Sequence, residues 1–211
     1  MKDLNMEQLS NQYFDVLKEL GNIGAGNATT ALAQLINCKV DMSVPQVKLL
    51  DFQDLGDAVG GDEQIMVGIY LQVTGDIEGS MMFILPQSAA AHLVNKLMCG
   101  MLGIDEEVQE EYQFGEMECS AIKEVGNIIT GAYLNALSSL TSLKITPSIP
   151  QLGIDMAGAL LSVPAVEFGI LGDKILFIET KFSDDIELDG YFIMIPDMES
   201  YGKILKSLGV M

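Results

Sequence analysis

Two pairs of polar side chains have the types and the spacing to act together on one helix face. Glu19 and Asn22 lie three residues apart, and Glu124 with Asn127 repeats both types at the same spacing. Residues three apart are neighbours on a helix surface, so each pair would present one carboxylate beside one amide. That is too few oxygen ligands for a dedicated metal site. The pairs therefore argue against a metal-dependent enzyme built on these acids.

Each pair belongs to a longer stripe that runs along one side of a predicted helix. The positions i, i+4, i+7 and i+11 fall on one continuous face. In the first stripe they are Asp15, Glu19, Asn22 and Gly26, and in the second they are Ser120, Glu124, Asn127 and Gly131.

Glycines are unusually frequent in these two helices. Gly21, Gly24 and Gly26 lie in the first, and Gly126 with Gly131 repeats two of them in the second. Each costs about 1 kcal/mol relative to alanine in a helix interior. A sequence retains such glycines where another body must approach the backbone closely. That body is either a neighbouring helix of the same chain or a docked partner, and the sequence leaves both open.

The chain contains an internal duplication with an offset of 105 residues. The matching positions extend from the helix into the segment that follows it. They include Glu19/Glu124, Gly21/Gly126, Asn22/Asn127, Ile23/Ile128, Gly26/Gly131, Leu32/Leu137, Ser43/Ser148, Pro45/Pro150 and Gln46/Gln151. An ordinary solvated Glu/Asn pair would have little reason to survive in both copies with the same neighbours. The duplication therefore marks the pairs as functional.

The elements that position the pairs follow the same order in both halves. Helices are predicted over about Asp15–Ile36 and Met117–Ser138, and closing helices over Ser88–Leu102 and Met198–Leu208. Strand-like runs are Val40–Leu50, Ile65–Val73 and Gly79–Leu85, then Ile145–Leu152, Lys174–Phe182 and Gly190–Ile195. We expect an α+β fold in which two pseudo-repeats, about 12–102 and 116–211, form one domain. A pseudo-twofold would relate them around a shared antiparallel sheet flanked by helices.

Composition excludes several classes of function. The formal net charge is −19, and all eleven basic residues are lysines. Nucleic-acid binding requires basic surface that displaces counterions, so it is excluded. The absence of arginine also removes the usual bidentate grip on phosphate, and any cation for phosphate chemistry must come from elsewhere. His92 is the only histidine, which excludes zinc sites and Ser-His-Asp triads.

The compartment is expected to be the cytoplasm. The three cysteines, Cys38, Cys99 and Cys119, are scattered and odd in number, which indicates a reducing environment. No apolar run is long enough to span a bilayer, so we expect no membrane insertion. Residues Met1–Gln12 lack the pattern of a signal peptide.

The doubled pattern Asp/Ser-x3-Glu-x2-Asn-x22-Pro resembles the signature of the CheC/CheX/FliY phosphatase family. Asp15, Glu19, Asn22 and Pro45 match it once, and Ser120, Glu124, Asn127 and Pro150 match it again. The string from Leu17 to Ala28 looks specifically like the CheC branch. CheX-like members carry one motif and dimerise, whereas FliY-like members add a C-terminal module. The resemblance therefore implies a stand-alone, two-site protein, which we expect to be a monomer.

That resemblance implies hydrolysis of the aspartyl phosphate on the response regulator CheY. Asn22 and Asn127 would position the attacking water, since an amide offers both a donor and an acceptor. Glu19 and Glu124 would pair with a lysine of the regulator, and Asp15 and Ser120 would support docking. The protein would need no cofactor of its own, because CheY would carry the Mg²⁺. The alternative is an adaptor that binds phosphorylated CheY without catalysis, or a component of the flagellar switch.

A break in the repeat suggests a second partner. Asp155 replaces Leu50 of the first half, and the residues after it, Met156–Leu161, are small and apolar. One interpretation is that Asp155 caps a short buried helix. The other is that this helix is partly exposed and binds CheD, the receptor deamidase that the resemblance implies as a partner.

Overall fold

The two halves of the chain contribute matching elements in the same order. The structure, a computed structural model, describes residues 11–36, 41–42, 46–102, 113–168, 174–183 and 187–209. The first half comprises α1 (Asn11–Ile36), β1 (Asp41–Met42), β2 (Gln46–Asp51), a 3-10 turn (Phe52–Asp54), α2 (Leu55–Ala58), β3 (Ile65–Gly75), β4 (Gly79–Pro86) and α3 (Gln87–Leu102). The second half comprises α4 (Glu116–Thr141), β5 (Ile145–Pro147), β6 (Gln151–Met156), α5 (Ala157–Phe168), β7 (Lys174–Ser183), β8 (Glu187–Pro196) and α6 (Met198–Ser207).

The eight strands of the described residues form one antiparallel sheet, and the halves exchange strands within it. The central pair is β4 with β8, in the register Met81↔Met194. On one side β3 pairs with β4 and with β5 and β6 of the second half. On the other side β7 pairs with β8 and with β1 and β2 of the first half. This reciprocal exchange confirms the predicted fold: a duplicated unit with a pseudo-twofold axis and a shared antiparallel sheet.

Helices cover both faces of the sheet, which explains why the central strands are nearly continuous apolar runs. Val67, Ile69 and Leu71 of β3 pack beneath α1, α3 and α4, whereas Met66 and Tyr70 face α2 and α5. Alternate residues of a strand point to opposite faces, and helices cover both faces here. Both sets of side chains are therefore buried. No helix in the described part of the chain is long and apolar enough to cross a membrane.

The two long helices α1 and α4 pack against the sheet and against each other through glycines. A β-carbon built on Gly21 would lie 2.6 Å from Val47 Cγ2 on β2, and one on Gly126 would lie 2.6 Å from Ile69 Cγ1 on β3. These distances are well inside van der Waals contact. The equivalent glycines of the repeat therefore let each helix lie close to the sheet.

Tyr133 fills the space that Gly24 leaves between α1 and α4. A β-carbon on Gly24 would meet the Tyr133 ring, whose centroid lies 5.4 Å from that of Phe192 on β8. The ring is fully buried, and its hydroxyl has no hydrogen-bond partner among the described residues. Burial raises the pKa of the Tyr133 phenol above its usual value.

We expect Tyr133→Phe to leave stability at pH 7 unchanged or raise it by about 1 kcal/mol, because an unsatisfied buried hydroxyl is costly. The raised pKa holds the phenol neutral in the folded state, whereas it ionises near pH 10 when unfolded. Stability is therefore fully present below about pH 10 and falls as the pH rises above it. The variant should lose less stability in that range. Denaturant titrations at pH 7 and pH 10.5 measure both effects, and a variant clearly less stable at pH 7 would contradict them.

The structure also corrects the predicted boundaries. The predicted strand Ile145–Leu152 is two strands, β5 and β6, and β6 continues to Met156. The segment after β2 was not predicted to be helical, but it contains the short helix α2, whose Leu55 is fully buried. The acids Asp54 and Asp57 flank Leu55, so no run of apolar residues indicated a buried helix here. Of the predicted strand Val40–Leu50, residues 40 and 43–45 lie outside the described residues.

Candidate functional site

The two Glu/Asn pairs lie on α1 and α4 and face away from the core. Glu19, Glu124 and Asn127 are exposed, and Asn22 is half-buried. Their neighbours one or two positions along the same helices, including Gly21, Val125 and Gly126, are buried. Each helix therefore has the two sides that the sequence predicted: one against the sheet, the other bearing a carboxylate and an amide.

These four side chains have no internal partner within the described part of the chain. No ion pair or hydrogen bond joins Glu19, Asn22, Glu124 or Asn127 to another described side chain. Other charged residues do pair: Lys48 Nζ lies 3.0 Å from Glu179 Oε2, and Lys203 Nζ lies 3.0 Å from Glu199 Oε1. The carboxylates and amides of the two pairs are thus available to an external group.

Glycines on these helices fall into two classes. Gly21, Gly24 and Gly126 are required by internal packing. The expected neighbouring helix is found only at Gly24, whereas Gly21 and Gly126 meet side chains of the strands β2 and β3. Gly26 and Gly131 are different, because a β-carbon on either would meet no atom of the described residues within 4 Å. These two lie one turn beyond Asn22 and Asn127 on the same face.

The remaining motif residues are placed as follows. Ser120 is exposed on α4, one turn before Glu124. Asp15 lies within α1, but its side chain is outside the described residues, as is the whole of Pro45. Pro150 precedes β6 and is half-buried. The structure therefore brings Ser120 into line with the second pair and leaves the role of Asp15 a prediction.

Asp155 lies on the opposite side of the sheet from the two pairs. It is exposed near the end of β6, and its Oδ1 accepts a hydrogen bond from the Met156 N–H at 2.8 Å. This bond precedes the helix and does not satisfy the N–H groups of its first turn. Helix α5 buries Leu160 and Leu161 but leaves Val163 and Val166 exposed, by 45% and 83%. The helix is thus partly exposed, as the second interpretation of Asp155 requires.

The sequence did not indicate a cleft that opens between α2 and α5. Its volume is 490 Å³, and its lining residues are Phe52, Gln53, Gly56, Asp62, Glu63, Met156, Gly158, Ala159 and Leu161. Main-chain bonds join its two rims, since Ala157 N donates to Gln64 O at 2.8 Å and Gly158 N donates to Asp62 O at 3.0 Å. No sequence pattern links these two distant segments, which is why the cleft emerges only from the fold.

Among the described residues, no three His, Cys, Asp or Glu side chains are grouped as metal ligands.

Comparison with known proteins agrees with this arrangement. The model of the CheC-like family matches residues 15–49 and 117–154, and each segment contains one Glu/Asn pair. The CheY-P phosphatase CheC of Bacillus subtilis is 38% identical over 205 residues, which are 95% of this chain and 96% of that protein. The chain belongs to the CheC-like family.

Solved structures share the fold of this CheC-like chain. The crystal structure of Thermotoga maritima FliY superposes with a TM-score of 0.75 at 21% identity, covering 96% of this chain and 98% of that one. A CheX–CheY–BeF3–Mg²⁺ complex from Borrelia burgdorferi matches with a TM-score of 0.52 at 15% identity, covering 87% and 97%. At these identities the likeness shows the fold alone, so function must be argued from the site.

Proposed function

We propose that this CheC-like protein is a phosphatase of phosphorylated CheY with two active sites, one on α1 and one on α4. The observation that carries the proposal is a Glu/Asn pair in each half whose side chains are at least half-exposed and have no partner among the described residues. The relative that aligns over nearly the whole chain is a CheY-P phosphatase. The protein hydrolyses an aspartyl phosphate and is therefore an enzyme of two-component chemotaxis signalling.

Glu19 and Glu124 dock the regulator in this proposal. Each carboxylate would accept a charge-assisted hydrogen bond from a regulator lysine, which is stronger than a neutral one. Because neither carboxylate pairs with another described residue, docking breaks no ion pair within the described part of the chain. The carboxylate thereby fixes the register of the helix against the phosphorylated residue.

Asn22 and Asn127 position the water. The amide oxygen accepts a hydrogen bond from the water and the amide N–H₂ donates to an oxygen nearby. The water oxygen attacks phosphorus in line, the bond from phosphorus to the aspartyl oxygen breaks, and inorganic phosphate and a free carboxylate result. Phosphoryl transfer depends chiefly on positioning and charge stabilisation, so an ordered water is a sufficient contribution from this chain.

The regulator supplies the positive charge for this reaction. Mg²⁺ held by CheY would neutralise charge on the transferring phosphoryl group, and this protein would hold no cofactor of its own. The chain contains no arginine, which agrees with a positive charge supplied by the regulator. We further propose that the protein acts as a monomer in the cytoplasm.

The second candidate function is an adaptor that binds phosphorylated CheY without catalysis or belongs to the flagellar switch. The fold itself does not separate the two candidates, because a fold can host unrelated functions. A single experiment does separate them. Binding of phosphorylated CheY is titrated while its phosphate decay is followed: a phosphatase shortens the lifetime, and an adaptor binds and leaves it unchanged.

CheD is proposed as a second partner that docks on α5. Helix α5 exposes Val163 and Val166, and Asp155 faces the same side of the sheet, because its register partner Met66 packs against α2 and α5. These three residues define the proposed docking surface. It lies across the sheet from the Glu/Asn pairs. The two partners would therefore not compete for the same surface.

We expect Asp155→Lys to abolish CheD binding while basal phosphatase activity persists. The change reverses an exposed charge and removes one hydrogen bond, that to the Met156 N–H, so stability should change by about 1 kcal/mol or less. Asp155→Asn should keep the hydrogen bond and weaken binding less. Pull-down or calorimetric titration with CheD measures the first effect, and CheY-P decay measures the second. Normal CheD binding by the lysine variant would place the docking surface elsewhere.

A further inference from the structure

At two positions of the motif helices, nothing in the described part of the chain requires a glycine. Gly26 and Gly131 occupy the interiors of α1 and α4, where glycine is less stable than alanine. Neither has the positive φ that favours glycine. Neither would bring a β-carbon within 4 Å of another described part of the protein. Backbone conformation and internal packing therefore both permit a side chain at these positions.

The other glycines of the same helices show the contrast. Gly21, Gly24 and Gly126 each have a neighbour that a β-carbon would strike at less than 3 Å. Their absence of a side chain is explained inside the molecule. Glycine occurs at both equivalent positions of the repeat, although it destabilises a helix there, and no contact within the described residues explains it.

Position links these two glycines to the proposed active sites. Each lies four residues, one helical turn, beyond the asparagine of its own site and on the same face. Gly24 contacts Tyr133, so α1 and α4 touch within two residues of both Gly26 and Gly131. Both glycines therefore lie within two residues of the contact between the two helices, and each is half-exposed.

We propose that Gly26 and Gly131 are clearance positions, where the surface of the docked regulator rests directly on the helix backbone. This inference rests on the proposed phosphatase function. Contact at the bare turn lets the aspartyl phosphate reach the asparagine one turn away. A side chain there would hold the regulator off, and a displacement of about 1 Å at a reacting centre costs roughly 100-fold in rate.

The test compares two glycine substitutions with a matched control. Gly26→Leu with Gly131→Leu adds bulk at both clearance positions, and Gly26→Ala with Gly131→Ala adds one methyl group at each. Gln34→Leu with Ser139→Leu adds a leucine at exposed positions two turns further along the same helices, which are also equivalent in the repeat. Thermal unfolding and the kcat and KM for decay of phosphorylated CheY are measured for all of them and for the wild type.

We expect both glycine variants to unfold at the wild-type temperature or higher, because each replaces glycine in a helix. The leucine variant should lose about 100-fold in kcat/KM, the alanine variant should fall between it and the wild type, and the control should match the wild type. Lower unfolding temperatures for the glycine variants would assign the glycines an internal role and overturn the proposal. Full activity of the leucine variant would overturn it too. A wild type that leaves CheY-P decay unchanged would instead contradict the proposed function.

Discussion

Replacing both amides, Asn22→Ala with Asn127→Ala, is expected to reduce the acceleration of CheY-P hydrolysis by about 100-fold or more. The amide orients the attacking water, and loss of orientation at a reacting centre has effects of that order. Each single variant should keep the contribution of the other site. Stability should change little, because neither side chain has an internal partner among the described residues. Decay of phosphate on CheY, followed with each variant, gives the result.

Asn27→Ala with Asn135→Ala provides the control for that experiment. Both are exposed asparagines on α1 and α4 that do not belong to the Glu/Asn pairs. The control removes the same number of amides from the same helices. If it lost activity to the same degree as Asn22→Ala with Asn127→Ala, the loss would reflect the helices in general and the water-positioning role would be wrong.

Reversing both acids, Glu19→Lys with Glu124→Lys, is expected to weaken docking of phosphorylated CheY by roughly tenfold or more. The change removes the attraction to the regulator lysine and adds repulsion between like charges. Because the wild-type contact is electrostatic, its affinity should fall with rising salt, and the variant should lose much of that dependence. The free energy of unfolding should move by less than about 0.5 kcal/mol, as for other exposed sites without special features.

Asp57→Lys with Glu63→Lys makes the same change in net charge on the opposite side of the sheet, where both acids are exposed. It should bind CheY-P with nearly wild-type affinity. Titrations at low and high salt compare the two double variants. Equal affinities for the wild type and the Glu19/Glu124 variant would show that these acids are ordinary surface residues.

Local sequence patterns were sufficient to predict the elements that carry the site. Glu19, Asn22, Glu124 and Asn127 were found because helical spacing places them on one face and the duplication repeats them. The shared antiparallel sheet followed from the paired order of helices and strands. Each of these inferences uses residues that are close in sequence or related by the 105-residue offset.

Features that depend on long-range packing could not be predicted in the same way. The sequence showed that the glycines admit a close neighbour, but only the fold separates Gly24, which contacts Tyr133, from Gly26, which faces open space. The pairing of β2 with β7 and of β6 with β3, each across the two halves, likewise depends on tertiary packing. The sequence of a strand does not identify the strand with which it pairs, because pairing depends on how the side chains on both faces pack.

The central claim is tested most directly by the lifetime of the aspartyl phosphate on CheY. CheY is phosphorylated, the phosphodonor is removed, and the decay is followed with no addition and with catalytic amounts of this protein. The account predicts faster decay in proportion to the protein added, with one protein molecule turning over many phosphates. An unchanged lifetime, with the protein nevertheless bound to CheY-P, would contradict it and identify an adaptor.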